Sequence, residues 1–229
     1  MQGTAEKVNN MSLIPLILIG AGGHAGVVLD IINQLRQYKV VGCTDFTKNN
    51  HLGRYGVTYL GKDDVLFDLQ KKGINHAALG VAGFNNEFRK NLYTKILGLG
   101  FQFPVLQHPN STVAKNVEIG QGSVIMANAV INPGVKIEEN VIINTGTVIE
   151  HDCYLSHSAQ IGPGAILCGD VKIGKRAFVG AGACIIQGIR IGEAAIVGAG
   201  SVVINDVLPG TTVVGNPAHH NNTRSKRNA

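Results

Sequence analysis

In the stretch NTGTVIEHDCYLSHS, Asn144 to Ser158, the residues Glu150, His151, Asp152 and His157 interrupt a tract made mostly of glycine, alanine, valine and isoleucine. An imidazole beside a carboxylate is the pairing that general-base chemistry uses. The carboxylate fixes the ring tautomer and raises its basicity, and an unperturbed histidine titrates at about 6.5, near neutral pH. His151 with Asp152 is therefore a candidate for taking a proton from an attacking amine or hydroxyl. The competing interpretation is that both are ordinary polar turn residues. His157 is the weaker candidate, because Lys175 stacks on it and solvent exposure accounts for both. Cys153 is the nearby nucleophile, but it takes a place held by small residues elsewhere in the tract and reads as packed.

A second cluster is GAGGHA, Gly20 to Ala25, between the apolar run LILI and the helical pattern VVLDIINQL. A glycine turn between a strand and a helix presents backbone amides and a helix N-terminus to an anion, commonly a phosphate. Asp45, closing the strand KVVGCTD, is placed to accept hydrogen bonds from a ribose or a base. An NAD dehydrogenase is one alternative, though the α/β region spans only about half of a full dinucleotide fold. A tight turn that binds nothing is another. A nucleotide or nucleotide-sugar diphosphate fits the available length better.

The elements that position these groups follow two different periods. From Ser111 onward the chain divides into sixteen hexads, and the third position of every one is aliphatic, from Val113 through Ile149 to Val203. One inward aliphatic every six residues marks a parallel β-helix of hexapeptide type, in which three hexads close one coil. Coils of this class are left-handed, an exception to the usual crossover rule. Residues eighteen apart then stack, which puts His151 between Pro133 and Gly169, Asp152 between Gly134 and Asp170, and Glu150 between Asn132 and Cys168. Before the hexads, strands alternate with helices, including HAALGVAG and NNEFRKNLYTKILGLG, as in a small parallel α/β domain. The expected organisation is a disordered leader over 1–12, a Rossmann-like α/β domain over 13–104, an all-β left-handed parallel β-helix over 105–215, and a tail over 216–229.

Composition narrows the classes of function. The net charge of +5 owes part of its excess to the tail TRSKRNA, and the remaining basic residues form no stripe with interleaved aromatics, so nucleic acid is not the expected partner. The apolar run Ser12 to Ile19 is too short to cross a bilayer, and no membrane insertion is expected. The four cysteines form no CxxC pair, which fits reduced, structural thiols in the cytoplasm. No metal-ligand constellation stands out.

The motifs GAGGHAG, VVGCTD, NNEFRK, NTGTVIEHDC and VGNPA, in this order over roughly Leu13 to Ala218, resemble the NeuD/PglD-type sugar acyltransferases. The resemblance implies a homotrimer of left-handed β-helices, each with a Rossmann-like N-terminal domain, using acetyl-CoA as co-substrate. It implies His151 as the catalytic base and Asp152 as its acidic support. Nucleotide-sugar contacts would fall on Gly22, Gly23, His24, Asp45 and Gly83. Acetyl-CoA would lie along the coils between subunits, at Gly180, Ala181, Gly198 and Ala199. A second family histidine falls on Gln160, a departure that leaves a hydrogen-bonding amide at the coenzyme side. Thr44 stands where relatives tend to carry the first of two acidic residues.

The resulting expectation is N-acetylation of a UDP-linked 4-amino sugar, as in bacillosamine-type pathways. The alternatives are O-acetylation of sialic acid or another surface sugar, and a non-enzymatic β-helix scaffold or metal protein.

Overall fold

The structure, a computed structural model, describes residues 13–48, 51–84 and 86–221. The leader expected over 1–12 and the tail beyond residue 221 lie outside the described residues. The α/β layer begins with β1 (Ile14–Ile19), whose last four residues are buried. Next come α1 (Gly23–Leu35), β2 (Tyr38–Thr44), β3 (Tyr59–Gly61), α2 (Leu66–Lys71), β4 (His76–Leu79) and α3 (Asn86–Gly98). The four strands are parallel and ordered β3-β2-β1-β4. In α1 the buried stripe is Ala25, Val28, Leu29, Ile31 and Ile32. Val27, in the same helix, faces outward at 42 % exposure.

The coil follows the hexads. Two-residue strands recur every six residues from Thr112–Val113 to Val202–Val203, and each as far as Cys184–Ile185 pairs in parallel with the strand eighteen residues on, as in Ile142–Gln160–Phe178. The architecture is the left-handed parallel β-helix expected from the repeat. Third-position side chains point inward, and from Ile125 to Val203 none is more than 3 % exposed. Burying each contributes about 1.5–3 kcal/mol, so a charge at any of them would break the ladder. The left-handed backbone needed for each corner falls on the sixth position. Every sixth residue from Gly122 to Gly200 has positive φ, Asp152 among them at 62°. Asp and Asn tolerate that conformation better than most residues. After the last hexad, the strand Thr212–Val214 pairs with Ile196–Val197, and His219–His220 adds an antiparallel edge.

The three faces of the prism differ in what they turn outward. Face one carries Leu106, Val124, Ile142 and Gln160, all buried, because the α/β layer covers it. Val124, Met126 and Ile142 share a core with α1. Face three turns Glu118, Lys136, Tyr154, Lys172 and Arg190 to solvent. Face two presents Val130, Val148, Ile166, Cys184 and Val202, apolar residues that nothing in the chain fully covers; Ile166 is 41 % exposed.

The two halves are clamped by α3. Arg89, 1 % exposed, inserts into the corner between faces three and one. It donates to the backbone carbonyl and side-chain amide oxygen of Asn140, to Ser158 O at 2.6 Å and to Ala159 O at 3.2 Å. Asn86 donates to the carbonyls of Arg176 and Ala177. Burial among neutral acceptors lowers the guanidinium pKa to about 9.

Candidate active site

His151 stands at the corner between faces two and three. Its Nδ1 and Asp152 Oδ2 are 2.8 Å apart. With Nδ1–H donating to Asp152, Nε2 is the nitrogen left to accept a proton. The stacking expected from the sequence is present. A Cβ at Gly169 would lie 2.7 Å from His151 Cε1 and Nε2, and a Cβ at Gly134 would lie 2.3 Å from Asp152 Oδ1. The coil thus makes room for both side chains by leaving side chains out of its neighbours. Asn132 donates to Glu150 Oε2 at 2.9 Å, fixing a second carboxylate nearby. The hydrogen bond that the ring donates to Asp152 raises the His151 pKa above its ordinary value, as do the negative charges of Asp152, Glu150 and Asp170; desolvation opposes them.

The neighbouring nucleophile is shielded. Cys153 is 1 % exposed, its thiol donates to Cys168 O at 3.2 Å, and burial pushes its pKa up to about 11. His157 is half-buried rather than simply solvent-facing. Its Nδ1 lies 3.0 Å from Glu139 O, its backbone N–H donates to Glu138, and its ring lies 5.9 Å from that of Tyr93.

The glycine turn opens α1 as expected. Gly22 is the N-cap, with no side-chain cap. Gly20 has φ +92°, and a Cβ there would meet Val81 at 2.7 Å, so glycine is required by conformation and packing. Gly22 and Gly23 have neither constraint, since nothing lies within 4 Å of a Cβ at either. Their bare backbone at a helix N-terminus suits the close approach of an anion. Asp45 ties the turn to β2: its Oδ2 accepts from Ala21 N at 2.7 Å and its Oδ1 from Thr47 N at 3.1 Å. Thr44 donates to Asp63 at 2.7 Å, which brings a second carboxylate to the same strand end. A cavity of about 150 Å³ beside it is lined by Gly20, Asp45, Phe46, Asp63 and Phe88, among others.

His24 lies within α1 and not in a loop. Its Nε2 is buried without a hydrogen bond in the chain, and burial, reinforced by the charge of Arg89, lowers its pKa to about 4. Gly83, with φ +135°, donates its N–H to Gln160 Oε1 at 3.1 Å. Gln160 is thus buried where the two halves meet.

The residues expected at the coenzyme line the corner between faces one and two. A Cβ at Gly162 would lie 2.7 Å from Ala181 N, and one at Gly180 would lie 2.5 Å from Ala199 N. Close stacking therefore accounts for these glycines. It also leaves the corner free of bulky side chains, with Ala181 and Ala199 exposed. The parts do not converge within one chain. The α/β layer covers face one, and His151 stands at the corner opposite that face. Gly180 and Ala181 are separated from His151 by the width of face two.

Sequence reasoning missed Arg89 and Asn86 as the clamp, while the eighteen-residue stacking already places Asn132 beside Glu150. Among the described residues, no group of three His, Cys, Asp or Glu could hold a metal ion, and no helix is long and apolar enough to cross a membrane. The four cysteines are free thiols.

Three family descriptions match the chain: the PglD N-terminal domain over residues 15–96, the bacterial transferase hexapeptide over 116–151, and the hexapeptide repeat of succinyl-transferase over 170–204. Perosamine N-acetyltransferase from Caulobacter crescentus, solved with CoA and GDP-perosamine, is 34 % identical with a TM-score of 0.85, over 90 % of this chain and 97 % of that one. The acetyltransferase domain of PglB from Neisseria gonorrhoeae, solved with acetyl coenzyme A, is 36 % identical with a TM-score of 0.85, over 91 % of this chain and 100 % of that one. UDP-N-acetylbacillosamine N-acetyltransferase from Bacillus subtilis is 37 % identical over 111 residues, 48 % of this chain and 50 % of the relative. The match thus spans about half the length of that curated relative. Likeness over nearly the whole length of the solved structures, with the PglD-type domain joined to hexapeptide coils, means that this chain belongs to the PglD/NeuD-type sugar acyltransferase family.

Proposed function

We propose that this protein is an acetyl-CoA-dependent N-acetyltransferase acting on a nucleotide-linked 4-amino sugar, with UDP as the nucleotide and His151 as general base. The observation that carries the reading is the 2.8 Å contact between His151 Nδ1 and Asp152, with the ring lying over Gly169. As the sugar amine attacks the acetyl carbonyl, His151 Nε2 takes its proton, the new C–N bond forms and the C–S bond to the coenzyme breaks. Asp152 holds the ring tautomer and stabilises the imidazolium. The shielded Cys153 thiol favours direct transfer over a covalent enzyme intermediate. Backbone amides of a coil corner would stabilise the developing oxyanion.

The open turn at Gly22 and Gly23, with Asp45 beside it, suits the nucleotide diphosphate. The small-residue corner at Gly180, Ala181, Gly198 and Ala199 suits the acyl donor. Since one chain holds its glycine turn across the prism from its own His151, a complete site needs a second copy. Face two offers the surface, with Ile166, Ile186 and Ile204 each about 40 % exposed. The reading is a homotrimer with the site between prisms, and four free thiols fit the reducing cytoplasm.

The test is thiol release from acetyl-CoA with UDP- and GDP-linked amino sugars, for wild type and His151→Ala. Turnover with a 4-amino acceptor that the variant loses at unchanged native mass is the expected result. Turnover with hydroxyl acceptors alone would move the assignment to O-acetylation.

A further inference from the structure

We propose that Gln160 is a positioning residue for the acceptor, holding the loop between β4 and α3 against the coil, and not a contact of the acyl donor. The inference rests on the functional reading above. Gln160 occupies the outward position of its strand on face one, while its neighbour Ile161 points into the coil. Outward on this face means toward the α/β layer, and the side chain is only 6 % exposed. Its Oε1 accepts the Gly83 N–H at 3.1 Å, across 77 positions of sequence.

The anchored loop borders the glycine turn. Gly80 N–H donates to Ile19 O at 2.7 Å, and a Cβ at Gly80 would come within 2.6 Å of Gly20 O. Nothing lies within 4 Å of a Cβ at Gly83, so packing alone does not hold that end of the loop. Among the described residues its fixed points include Gly80 on the strand side, the Gln160 contact, and α3, which Arg89 clamps to the carbonyls of Ser158 and Ala159. Three consecutive coil residues, 158 to 160, therefore hold both the helix and the loop that leads into it. Removing the acceptor oxygen frees the Gly83 end while Arg89 keeps the halves docked. A neutral amide also contributes no proton transfer near neutral pH, so its effect belongs to acceptor binding.

The experiment compares wild type with Gln160→Met, which keeps length and loses the acceptor, and Gln160→Glu, which keeps an acceptor oxygen. Steady-state constants are measured with acetyl-CoA and whichever UDP- or GDP-linked 4-amino sugar the wild type turns over. Expected for Gln160→Met is a roughly tenfold rise in the acceptor KM, the scale of one hydrogen bond, with kcat and the acetyl-CoA KM within about twofold. Gln160→Glu should recover most of the acceptor KM. An unchanged acceptor KM in the Met variant, or a loss in kcat or acetyl-CoA KM instead, would overturn the assignment. A wild type that turns over no nucleotide-linked amine would overturn the functional reading together with the acceptor role of Gln160. That outcome is distinct from failure of this inference alone, in which the wild type turns over normally.

Discussion

His151 and His24 sit in opposite surroundings, one at an exposed coil corner and the other beneath the glycine turn. At the corner, Asp152, Glu150 and Asp170 surround a solvent-reachable imidazole and raise its pKa. At the turn, burial and the neighbouring Arg89 charge lower the pKa to about 4. A group that must take up and release protons near neutral pH belongs in the first setting. In the second, the ring stays neutral near neutral pH, packed beneath the turn with its Nε2 unpartnered in the chain. On the proposed function, the comparison divides the labour: proton chemistry in the coil, recognition in the α/β layer.

The sharpest way to break this division is His151→Ala. It should reduce kcat by roughly 10³-fold, within the range for loss of a general base, with native mass unchanged. Equal activity in the variant would reduce His151 to a polar corner residue. The junction comes next. Arg89→Leu strands several buried carbonyls and should lower the unfolding free energy by about 3 kcal/mol, read from chemical denaturation. Retained stability would mean that the apolar face-one contact, with Asn86 and Gln160, holds the halves together without Arg89.

Two alanine substitutions then set one corner against another. Gly169→Ala presses only on the movable His151 ring and should lower kcat roughly tenfold with little change in Tm. Gly180→Ala presses on the backbone of Ala199, 2.5 Å from the new Cβ, and should lower Tm. Parallel effects of both on Tm would erase the distinction between a catalytic and a stacking glycine.

The smallest effect is on pH. The His151 pKa is raised, so its base form, and with it kcat/KM, is lost as pH falls through a value above the ordinary 6.5. Asp152→Asn removes the first cause of that shift, and the acid limb of the profile should move to lower pH. For His24 the sign is reversed. Its folded pKa is depressed, so below pH 6.5 the unfolded chain binds the extra proton, and stability falls between pH 6.5 and about 4. His24→Leu should flatten that part of a stability–pH curve.

Much of the coil was legible because its repeat is strict. The third-position aliphatics located every strand, and the eighteen-residue stacking placed His151 against Gly169 and Asp152 against Gly134. A further signal lay in the second positions, taken every eighteen residues. Val124, Ile142 and Gln160 face the α/β layer, Glu118, Lys136 and Lys172 face solvent, and Val130, Val148 and Ile166 stay apolar without a covering layer. The α/β half was harder to read. β3 and α2 are too short to show a period, and Arg89 in NNEFRK looks like any basic residue on a helix surface.

By itself the sequence determined the coil, the strand–turn–helix around the glycines and the pairing of His151 with Asp152. Each depends on neighbours six or eighteen residues apart, or adjacent, and local geometry converts such spacing directly into contact. Only the tertiary structure decided that Arg89 is the clamp, that Gln160 meets Gly83, and that the glycine turn lies across the prism from His151. Those contacts join residues 51 to 77 positions apart in sequence or depend on which face the α/β layer covers. No repeat period encodes them, and the packing of one half on the other sets them.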